Sequence, residues 1–476
     1  MFSIERAIQP FAPLADPGSR RLVIKDAMII SMDRHLGNLA EADILVEGNT
    51  IAAIAPSLPT DDAEILDARG MIVIPGFIDC HRHAWEAQLR HLNPNSSNLV
   101  DYCCATHFSF APHYRPIDIY AATLLTAVGG IDHGITTFID NAHNARTQDH
   151  AEAGLRAWLD SGVRSVYAPG PPLIGEWDEE HWPHAMLERL SEKLASAGSR
   201  LTTLGVMSQF DKQVWNHARG LNIPIVTEVV SPAMADTIRQ FAREGLLGPD
   251  NIFNHVTGMP QDVLRLLQSA GVGVNVCPRS DTQYGIVDGG MGAFQAALDA
   301  GLKPGFSIDN ETSYGGDMFG EMRTELSLQR AMTQRDRFEG KANVAPPLSV
   351  TDVLEAATIS GARCAALDSR VGSIAIGKDA DLTILDARHL NLLPLNNALG
   401  AVVQGAERSN IDTVIIGGVV RKRNGKILGL DEAKLASLVS GSRDYLLQSY
   451  GYRPDPFCNE HKELLSSEAA INRYWQ

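Results

Sequence analysis

The sequence predicts an α/β fold, a (β/α)8 TIM barrel with a small composite β-sandwich domain built from both chain ends. Between residues 76 and 309, eight apolar runs of strand length alternate with segments long enough for helices, which is typical of βα units around a parallel sheet. Short apolar runs separated by turn residues lie before and after this region and indicate a separate β-structure. An open doubly wound sheet is the structural alternative, but no GxGxxG turn follows any of the eight runs, so nothing supports a dinucleotide crevice.

The strand candidates follow one another along the chain. The first part of the sandwich is predicted at Arg21 to Ile30, Asp43 to Val46, Ile51 to Ile54 and Met71 to Ile74. The barrel strands are predicted at Gly76 to His81, Thr136 to Asp140, Val163 to Ala168, Leu201 to Met207, Pro224 to Val229, Asn251 to Val256, Gly271 to Cys277 and Leu302 to Asp309. The sandwich resumes at Val371 to Ile376, Gly377 to Asp386, Thr413 to Ile416 and Val419 to Arg421.

These runs divide the chain into four parts. Residues 1–75 and 366–430 are predicted to form the two portions of the β-sandwich, and residues 76–365 the metal-dependent barrel between them. Residues 431–476 begin with a helical pattern and then become polar and irregular. We expect them to form a helical tail packed on the barrel or on a second subunit.

Charge and composition limit the classes of partner. The 476 residues include 41 Lys and Arg against 57 Asp and Glu, a formal net charge of −16. This balance argues against nucleic acid and against an anionic membrane surface, since both require a basic face. The six cysteines form no CxxC pair, no run reaches the ~18 apolar residues of a membrane span, and the N-terminal stretch does not resemble a signal peptide. We therefore expect a cytoplasmic protein that acts on a small molecule.

The segment PGFIDCHRHAWE, residues 75–86, carries the strongest chemical signal. His81 and His83 are two residues apart at the end of an apolar strand, so their side chains lie on the same face. Barrel enzymes place their chemistry at the carboxyl ends of the strands. Because imidazole suits Zn, Fe, Ni and similar ions, the pair predicts a divalent metal site.

Two further polar groups end predicted strands. His255 closes the run NIFNH, and Asp309 closes the run FSID. A carboxylate at this place could ligate a metal or take a proton from metal-bound water. The structural alternatives are a helix N-cap for Asp309 and a buried, hydrogen-bonded imidazole for His255. Because all these groups fall on the ends of predicted barrel strands, we expect them to meet in space.

These motifs together resemble the amidohydrolase superfamily, in the branch with cytosine-deaminase-like and triazine-hydrolase-like members. The resemblance covers almost the whole chain, from PGFIDCHRH through GITTFIDNAHN, LLGPDNIFNHVTG and GLKPGFSIDN to GKDADLTILD. It implies that the HxH pair binds one divalent metal, that His255 binds or polarises the nucleophile or leaving group, and that Asp309 ligates the metal and accepts a proton. It also implies a homo-oligomer and makes zinc the expected metal, with Fe, Mn and Ni as alternatives.

The fifth barrel strand departs from the family pattern, in which a His is followed three residues later by a Glu that protonates a ring nitrogen in deaminases. Here PIVTEVVS places Glu228 at the His position and Ser231 at the acid position. Glu228 is predicted to be a metal ligand, with an acid/base role as the alternative. Binuclear members use a carboxylated lysine at a strand end, and Lys212 lies several residues beyond Met207, so we expect one metal.

The strand ends also supply candidates for substrate binding, which are Trp85, Glu86, His143, Tyr167, Arg279, Asp281 and Tyr284. Trp85 and Tyr167 could stack on a flat substrate, with ordinary packing as the alternative. Arg279 could bind a substrate carboxylate or pair with a neighbouring acid.

The predicted reaction is hydrolysis of a C–N bond of amide, carbamate, urea or cyclic amide type through a metal-activated water. Asp309 is expected to take the proton of that water, His255 to stabilise the developing negative charge, and Glu228 to act in the same site. One alternative is a deaminase of a nitrogen heterocycle, which the loss of the usual acid at Ser231 argues against. Another is a non-catalytic scaffold on the same fold, which the intact HxH pair argues against.

Overall fold

The computed structural model of the protein describes residues 9–12, 18, 20–286 and 292–457. Within these ranges the strands are β1 (Arg21–Ile29), β2 (Leu39–Glu47), β3 (Thr50–Ala55), β4 (Glu64–Asp67), β5 (Met71–Pro75), β6 (Phe77–Arg82), β7 (Ile135–Ala142), β8 (Arg164–Pro169), β9 (Thr202–Leu204), β10 (Val206–Met207), β11 (Ile225–Val229), β12 (Asn251–His255), β13 (Gly273–Val276), β14 (Gly305–Phe306), β15 (Leu382–Asp386), β16 (Ile411–Ile416), β17 (Val419–Arg423) and β18 (Lys426–Ile427). The α-helices are α1 (Leu99–Ala105), α2 (Pro116–Asp132), α3 (Gln148–Ser161), α4 (His184–Ala197), α5 (Lys212–Gly220), α6 (Ala235–Arg243), α7 (Gln261–Ala270), α8 (Pro278–Gln283), α9 (Phe294–Asp299), α10 (Met318–Phe338), α11 (Val350–Glu355), α12 (Gly361–Cys364), α13 (Ala398–Gly400) and α14 (Glu432–Tyr450). Short 3₁₀ or π turns lie at Ala84–Leu89, Ala111–His113, Pro232–Met234, Ala356–Ser360, Ala401–Gly405 and Arg408–Asn410.

The middle of the chain forms two parallel sheets whose strands follow chain order, β6-β7-β8-β9 and β10-β11-β12-β13-β14. Backbone hydrogen bonds also join their edges. At one edge, the Gly205 N–H donates to the Tyr167 carbonyl (2.8 Å). At the other, the Asp309 N–H donates to the His81 carbonyl (2.9 Å), and the His83 N–H donates to the Asp309 carbonyl (2.7 Å). The predicted α/β class, with helices between parallel strands, is confirmed.

Strands from the two ends of the chain form a third, mostly antiparallel sheet. Its order is β18-β17-β16-β15-β5-β1-β2-β3, with β4 paired to β1. The pairing of β5 with β15 aligns Val73 with Ile384, so the early and late segments are direct neighbours. Both side chains are fully buried in an aliphatic core of this sheet. The two strands are buried along nearly their whole length, which explains why both consist mostly of apolar residues.

Two sandwich strands differ from expectation. The predicted strand at residues 371–376 is irregular, because Gly372 turns the chain with a φ of +84° over the turn at Ala356–Ser360. The strand β4, which the sequence does not predict, pairs in parallel with β1. It is four residues long and half of it is exposed, so it lacks the apolar alternation that marks its neighbours.

Two barrel strands also differ from expectation. The run predicted from Leu201 to Met207 is divided at Gly205, where the chain changes its pairing partner from β8 to β11. The run predicted from Leu302 to Asp309 pairs as a strand only at Gly305–Phe306. Its last residue instead bridges to Arg82 of β6.

A buried ion-pair network connects the third sheet to the amino end of β8. The Arg164 guanidinium, 1% exposed, donates to Asp381 Oδ2 (2.8 Å) and to Asp379 Oδ2 (2.9 Å). Asp381 Oδ1 also accepts from the Gly417 N–H in the β16–β17 turn (2.7 Å). The Arg164 cation therefore connects β8 to the residues before β15 and, through Asp381, to the β16–β17 hairpin.

The predicted tail is helical as far as Tyr450. Asp431 caps α14 by accepting from the Lys434 N–H (3.0 Å), as an N-cap aspartate does. The helix packs on the parallel-sheet region, since Gln88 Nε2 donates to Ser442 Oγ (3.0 Å) and the Arg115 guanidinium lies 3.4 Å from the Tyr445 ring centre. Residues 458–476 of the predicted tail lie outside the described residues. Among the helices of the described ranges, none combines the length and apolar character needed to cross a membrane.

The Arg164 network makes a stability prediction. Arg164→Met should lower the free energy of unfolding by about 3–5 kcal/mol, because it leaves two buried carboxylates without their shared cation. The measurement is a urea or thermal unfolding curve followed by circular dichroism.

Arg388→Met is the matched control, because Arg388 pairs with Asp386 while its own side chain is 58% exposed. Exposed pairs contribute less than about 1 kcal/mol. Equal losses in the two variants would contradict a special role for the buried network.

Candidate metal and substrate site

Five ionisable side chains converge at the carboxyl ends of the parallel strands. They are His81 from β6, His83 directly after β6, Glu228 from β11, His255 from β12 and Asp309 beyond β14. His81 Nε2 lies 3.3 Å from Asp309 Oδ1 and 3.5 Å from Glu228 Oε1. His83 Nε2 lies 3.1 Å from the same Asp309 oxygen, and His255 Nε2 lies 3.3 Å from Glu228 Oε2. The structure thus brings together all the groups that the sequence nominates for the metal and the chemistry.

The backbone at the strand ends aims these side chains. His255 and Asp309 both adopt the left-handed region, with φ values of +66° and +71°. A non-glycine residue held there costs about 1–3 kcal/mol and persists only where the surroundings enforce it. Asp79 supplies part of that enforcement, since its buried carboxylate accepts from the Ile308 N–H (3.0 Å) and from Arg82 Nε (2.8 Å). The end of β6 is therefore held against the chain that carries Asp309.

Several buried atoms of this cluster have no hydrogen-bond partner. They are His81 Nδ1 and Nε2, Glu228 Oε2 and Asp309 Oδ1. The ligand atoms of His81, His83 and Glu228 all lie within 4.8 Å of one another, and the same holds for His81, His255, Cys277 and Asp309. Buried polar atoms are almost always satisfied. Imidazole nitrogens and carboxylate oxygens are ligands of a divalent transition metal, so the donor set fits such an ion.

A second layer of contacts orients the imidazole of His83. Its Nδ1 lies 2.9 Å from His143 Nε2 and 3.2 Å from the backbone carbonyl of Asn141. Because the carbonyl can only accept, a proton on Nδ1 of the neutral ring satisfies it, and His143 Nε2 then accepts as well. The lone pair is then on Nε2, which faces Asp309 and Glu228. The side-chain amide of Asn141 also donates to Glu228 Oε1 (2.6 Å). One residue at the end of β7 therefore orients two members of the cluster, as outer partners of metal ligands do.

His255 and Asp309 are each held by a residue of the α8 turn. His255 Nδ1 lies 2.7 Å from Asp281 Oδ1, and Asp281 Oδ2 also accepts from the Cys277 N–H (3.2 Å). The carboxylate therefore holds a proton on His255 Nδ1 and turns Nε2 toward the cluster. Ser280 donates its hydroxyl to Asp309 Oδ2, which leaves Asp309 Oδ1 toward His81 and His83.

A buried cluster of aromatic and polar side chains, called the aromatic pocket below, adjoins His83. The rings of Trp85, His107 and His143 pack edge to face or tilted, with centroids 4.8–5.9 Å apart. Glu86 Oε1 accepts from the Tyr102 hydroxyl (2.8 Å) and lies 3.6 Å from His107 Nε2. Trp85 Nε1, Glu86 Oε2 and His143 Nδ1 are buried without partners, so the pocket offers hydrogen-bonding groups to a flat polar molecule.

Burial controls the charge of this pocket. It lowers the pKa of His107 to about 3, and together with the charge of His83 it lowers that of His143 well below the usual 6.5. Burial raises the pKa of Glu86 to about 8. Both imidazoles are then neutral at pH 7, and the Glu86 carboxyl keeps its proton. Asp309 behaves in the opposite way, because the His81 and His83 imidazoles overcome the effect of burial and hold its pKa well below 3.8.

Three predicted substrate contacts are placed differently. Tyr167 packs between β8 and α3, where its hydroxyl donates to the Ala151 carbonyl (2.8 Å), so the structure does not bring it to the pocket. Arg279 is already paired, with Nε 2.5 Å from Glu321 and Nη1 3.3 Å from Asp317. Tyr284 reaches the pocket only through its ring, which stacks on Tyr102 at 5.1 Å.

Sequence reasoning missed Tyr102 and His107. Neither follows a predicted barrel strand, because both lie on α1 and the turn after it, between the first and second barrel strands. The available signal was the run of aromatic and histidine residues in DYCCATHFSF, residues 101–110, which is unusual for a polar surface loop.

Comparisons with known proteins agree with this geometry. A family model described as "Amidohydrolase family" matches residues 72–421. A 5-methylthioadenosine/S-adenosylhomocysteine deaminase of Pelotomaculum thermopropionicum is 25% identical over 440 residues, which cover 87% of this chain and 96% of that protein. An adenosine deaminase structure from Xanthomonas campestris with bound zinc is 20% identical, with a TM-score of 0.73 over 91% of this chain and 100% of that one. An atrazine chlorohydrolase structure from Arthrobacter aurescens complexed with zinc is 17% identical, with a TM-score of 0.72 over 89% and 100%.

The unpartnered cluster predicts strong stabilisation by a metal. Protein stripped with a chelator and then given Zn²⁺ at ~1,000 times its Kd should gain about 4 kcal/mol of stability, because only the folded chain presents the site. A rise in Tm on titration with Zn²⁺ measures this gain.

Asp309→Asn should lose most of that rise, since it removes one carboxylate of the cluster. Asp236→Asn is the control, as its side chain on α6 is 94% exposed. A Zn²⁺ response that is unchanged in Asp309→Asn would count against the cluster as the metal site.

Proposed function

The chain belongs to the amidohydrolase family, and on that premise we propose that it is a metal-dependent hydrolase that removes an amino group from a small nitrogen heterocycle. The observation that carries the proposal is the buried cluster of His81, His83, Glu228 and Asp309 directly beside an aromatic pocket with unpartnered hydrogen-bonding groups. A flat ring with polar edges suits such a pocket. The nucleoside deaminase named among the relatives acts on a bond of this type.

The architecture proposed for this enzyme is a (β/α)8 barrel spanning residues 76–365, with a sandwich of residues 1–75 and 366–430. The hydrogen bonds that join both edges of the two parallel sheets support the barrel. The pairing of β5 with β15 supports the shared sandwich. Residues 431–476 are proposed as the tail. The cytoplasmic location and the homo-oligomer stay predictions.

The metal site is proposed to consist of His81, His83, Glu228 and Asp309, with zinc as the ion. When bound there, a divalent cation would supply the Lewis acidity that lowers the pKa of water toward ~7. Glu228 takes the position of the usual strand-5 histidine and is directed by Asn141 (2.6 Å). It therefore serves as a ligand in this proposal rather than as an acid.

The proton transfers follow from the hydrogen bonds around the cluster. Asp309 Oδ2 is occupied by the Ser280 hydroxyl, so Oδ1 is the atom that accepts a proton from the attacking water. In its protonated form His255, held by Asp281 through Nδ1, also carries an N–H at Nε2. That N–H can donate to the negative charge that develops at the reacting carbon. Asp309 then returns its proton to the departing nitrogen.

Glu86 is proposed to replace the missing acid of strand 5. Ser231 stands at that position, and its hydroxyl accepts from the Ala233 N–H in a local turn (3.2 Å). Glu86 is the buried carboxyl group beside His107 and Tyr102. With a pKa of about 8, it carries a proton that it can deliver to a ring nitrogen at neutral pH.

Hydrolysis of an amide-type C–N bond is the second candidate function. The observation that favours it is Ser231, because amide cleavage does not require protonation of a ring nitrogen. The two functions differ in their products. Deamination releases ammonia and one organic molecule, whereas amide hydrolysis divides the substrate into two organic fragments.

A substrate panel tests the proposal. Zinc-loaded protein should release ammonia from at least one amino-substituted purine, pyrimidine or triazine, detected by a coupled ammonia assay. Mass spectrometry of the organic product should show that the amino group has been replaced by a hydroxyl or oxo group. Asp309→Asn should reduce this turnover by about 10²–10⁴-fold, the usual contribution of a general base. Cleavage of simple amides with no ammonia from any heterocycle would favour the second candidate instead.

Glu86→Gln tests the proposed proton donor. The amide keeps the size and hydrogen-bonding capacity of the carboxyl group but has no proton to give, so kcat should fall by about 10²-fold or more. Zinc content should stay close to that of the unchanged protein, because the Glu86 side chain does not contact the proposed metal ligands. KM should also change little, because the amide can still hydrogen-bond the substrate.

Tyr102→Phe is the matched control for that variant. It removes the hydrogen bond to Glu86 Oε1 but leaves the carboxyl group in place, so its effect on kcat should be smaller. A Glu86→Gln enzyme as fast as the unchanged one would remove Glu86 from the mechanism.

A further inference from the structure

A cleft of about 850 Å³ lies at the opposite end of the parallel strands from the metal cluster. It is bounded by the end of α3, the loop before β9 and the β16–β17 hairpin. Gly162 and Thr202 mark its position, since they adjoin the amino ends of β8 and β9. The catalytic groups instead follow the carboxyl ends of the strands.

Arginine dominates the charge of this cleft. Arg156, Arg200, Arg370 and Arg421 line it against a single lining carboxylate, Asp379. That carboxylate already accepts from Arg370 (2.7 Å) and Arg164 (2.9 Å). Arg156 is likewise neutralised by Asp160 (2.8 Å). The charges without an anionic partner among the described residues are therefore those of Arg200 and Arg421.

Among the described residues, Arg421 makes no hydrogen bond or ion pair with a carboxylate, and the nearest charge that acts on it is that of Asp381. Its guanidinium packs on Gly162, where an added Cβ would lie 2.3 Å from Nη2, so only glycine allows the approach. Its Nε is fully buried and makes no hydrogen bond. The partial negative charge at the end of α3 is close by, yet no α3 carbonyl accepts from the guanidinium in the described part of the chain. Burial lowers the pKa of Arg421 to about 10, and the nearby charge of Asp381, which Arg164 already pairs, offsets this only in part.

We propose that this cleft is a binding site for the oxyanion group of a small molecule, a phosphate or a carboxylate, held by Arg421 and Arg200. A guanidinium presents its N–H groups as a fork that matches either oxyanion. A volume of this size accommodates a small organic molecule around the anionic group. The site is independent of the reaction at the metal centre, because it uses none of the same residues.

The test measures anion binding by calorimetry and by the shift in Tm at constant ionic strength. The probes are inorganic phosphate, pyrophosphate and succinate, with chloride as the reference anion. At ~10 mM probe, the unchanged protein should show a rise in Tm with at least one of them, consistent with a Kd in the millimolar range or below. A larger response to the phosphates than to succinate identifies a phosphate ligand, and the reverse identifies a carboxylate.

Arg421→Met should weaken this binding at least about tenfold, the effect of losing a bidentate charged contact. The same variant should melt at a higher temperature than the unchanged protein in chloride alone, because it removes a half-buried cation whose Nε makes no hydrogen bond. Arg200→Gln changes an exposed side chain, so it should weaken anion binding without affecting the fold. It replaces Arg421→Met as the test variant if that variant does not fold.

Two controls separate this cleft from other anion sites. Arg337→Met removes an exposed arginine elsewhere and should leave binding unchanged. Asp309→Asn should also retain it, which excludes phosphate bound at the metal cluster. Binding that is equal in the unchanged protein, Arg421→Met and Arg200→Gln, or no anion response beyond that of chloride, would overturn the proposal.

Discussion

The unsatisfied imidazole nitrogens and carboxylate oxygens of His81, Glu228 and Asp309 are the constraint around which the site is built. Buried charged groups are tolerated only when they are paired or coordinate a cation. The neighbouring hydrogen bonds do not satisfy the atoms that face one another in the cluster, so the need for a bound cation remains. Asn141 and Asp281 contact Nδ1 of His83 and of His255, so Nε2 of each ring is left facing the cluster. The left-handed backbone at His255 and Asp309 is a further cost that the surroundings sustain.

Catalysis and recognition are supported by different parts of the chain. The groups that would hold the metal stand on paired strands, where backbone hydrogen bonds fix their positions. The groups that would recognise a substrate, such as Tyr102 and His107, stand on α1 and the turn beyond it. Scaffold and loop divide these tasks in many barrel enzymes, because loops can change without loss of the strands.

The opposite end of the strands has its own electrostatic organisation. Arg164 is compensated by Asp379 and Asp381 and ties the third sheet to β8. Arg421, in the hairpin of the same sheet, is half-buried, and its Nε makes no hydrogen bond. The two arginines at this junction thus have opposite consequences. The first stabilises the arrangement outright, and the second leaves an electrostatic deficit that an external anion can fill.

The sequence by itself determined the α/β class and the cluster, because period-2 spacing puts His81 and His83 on one face and parallel strands end at a common edge. His255, Glu228 and Asp309 were predictable for the same reason. It did not determine which face of β8 Tyr167 occupies, and the expected substrate contact packs against α3 instead. Arg279 forms ion pairs with Asp317 and Glu321. These acids lie about 40 positions further along the chain, beyond the reach of a local sequence pattern. Tyr102, His107 and the deficit at Arg421 were decided only by the tertiary structure, because they depend on which segments fold over one another and not on any local pattern.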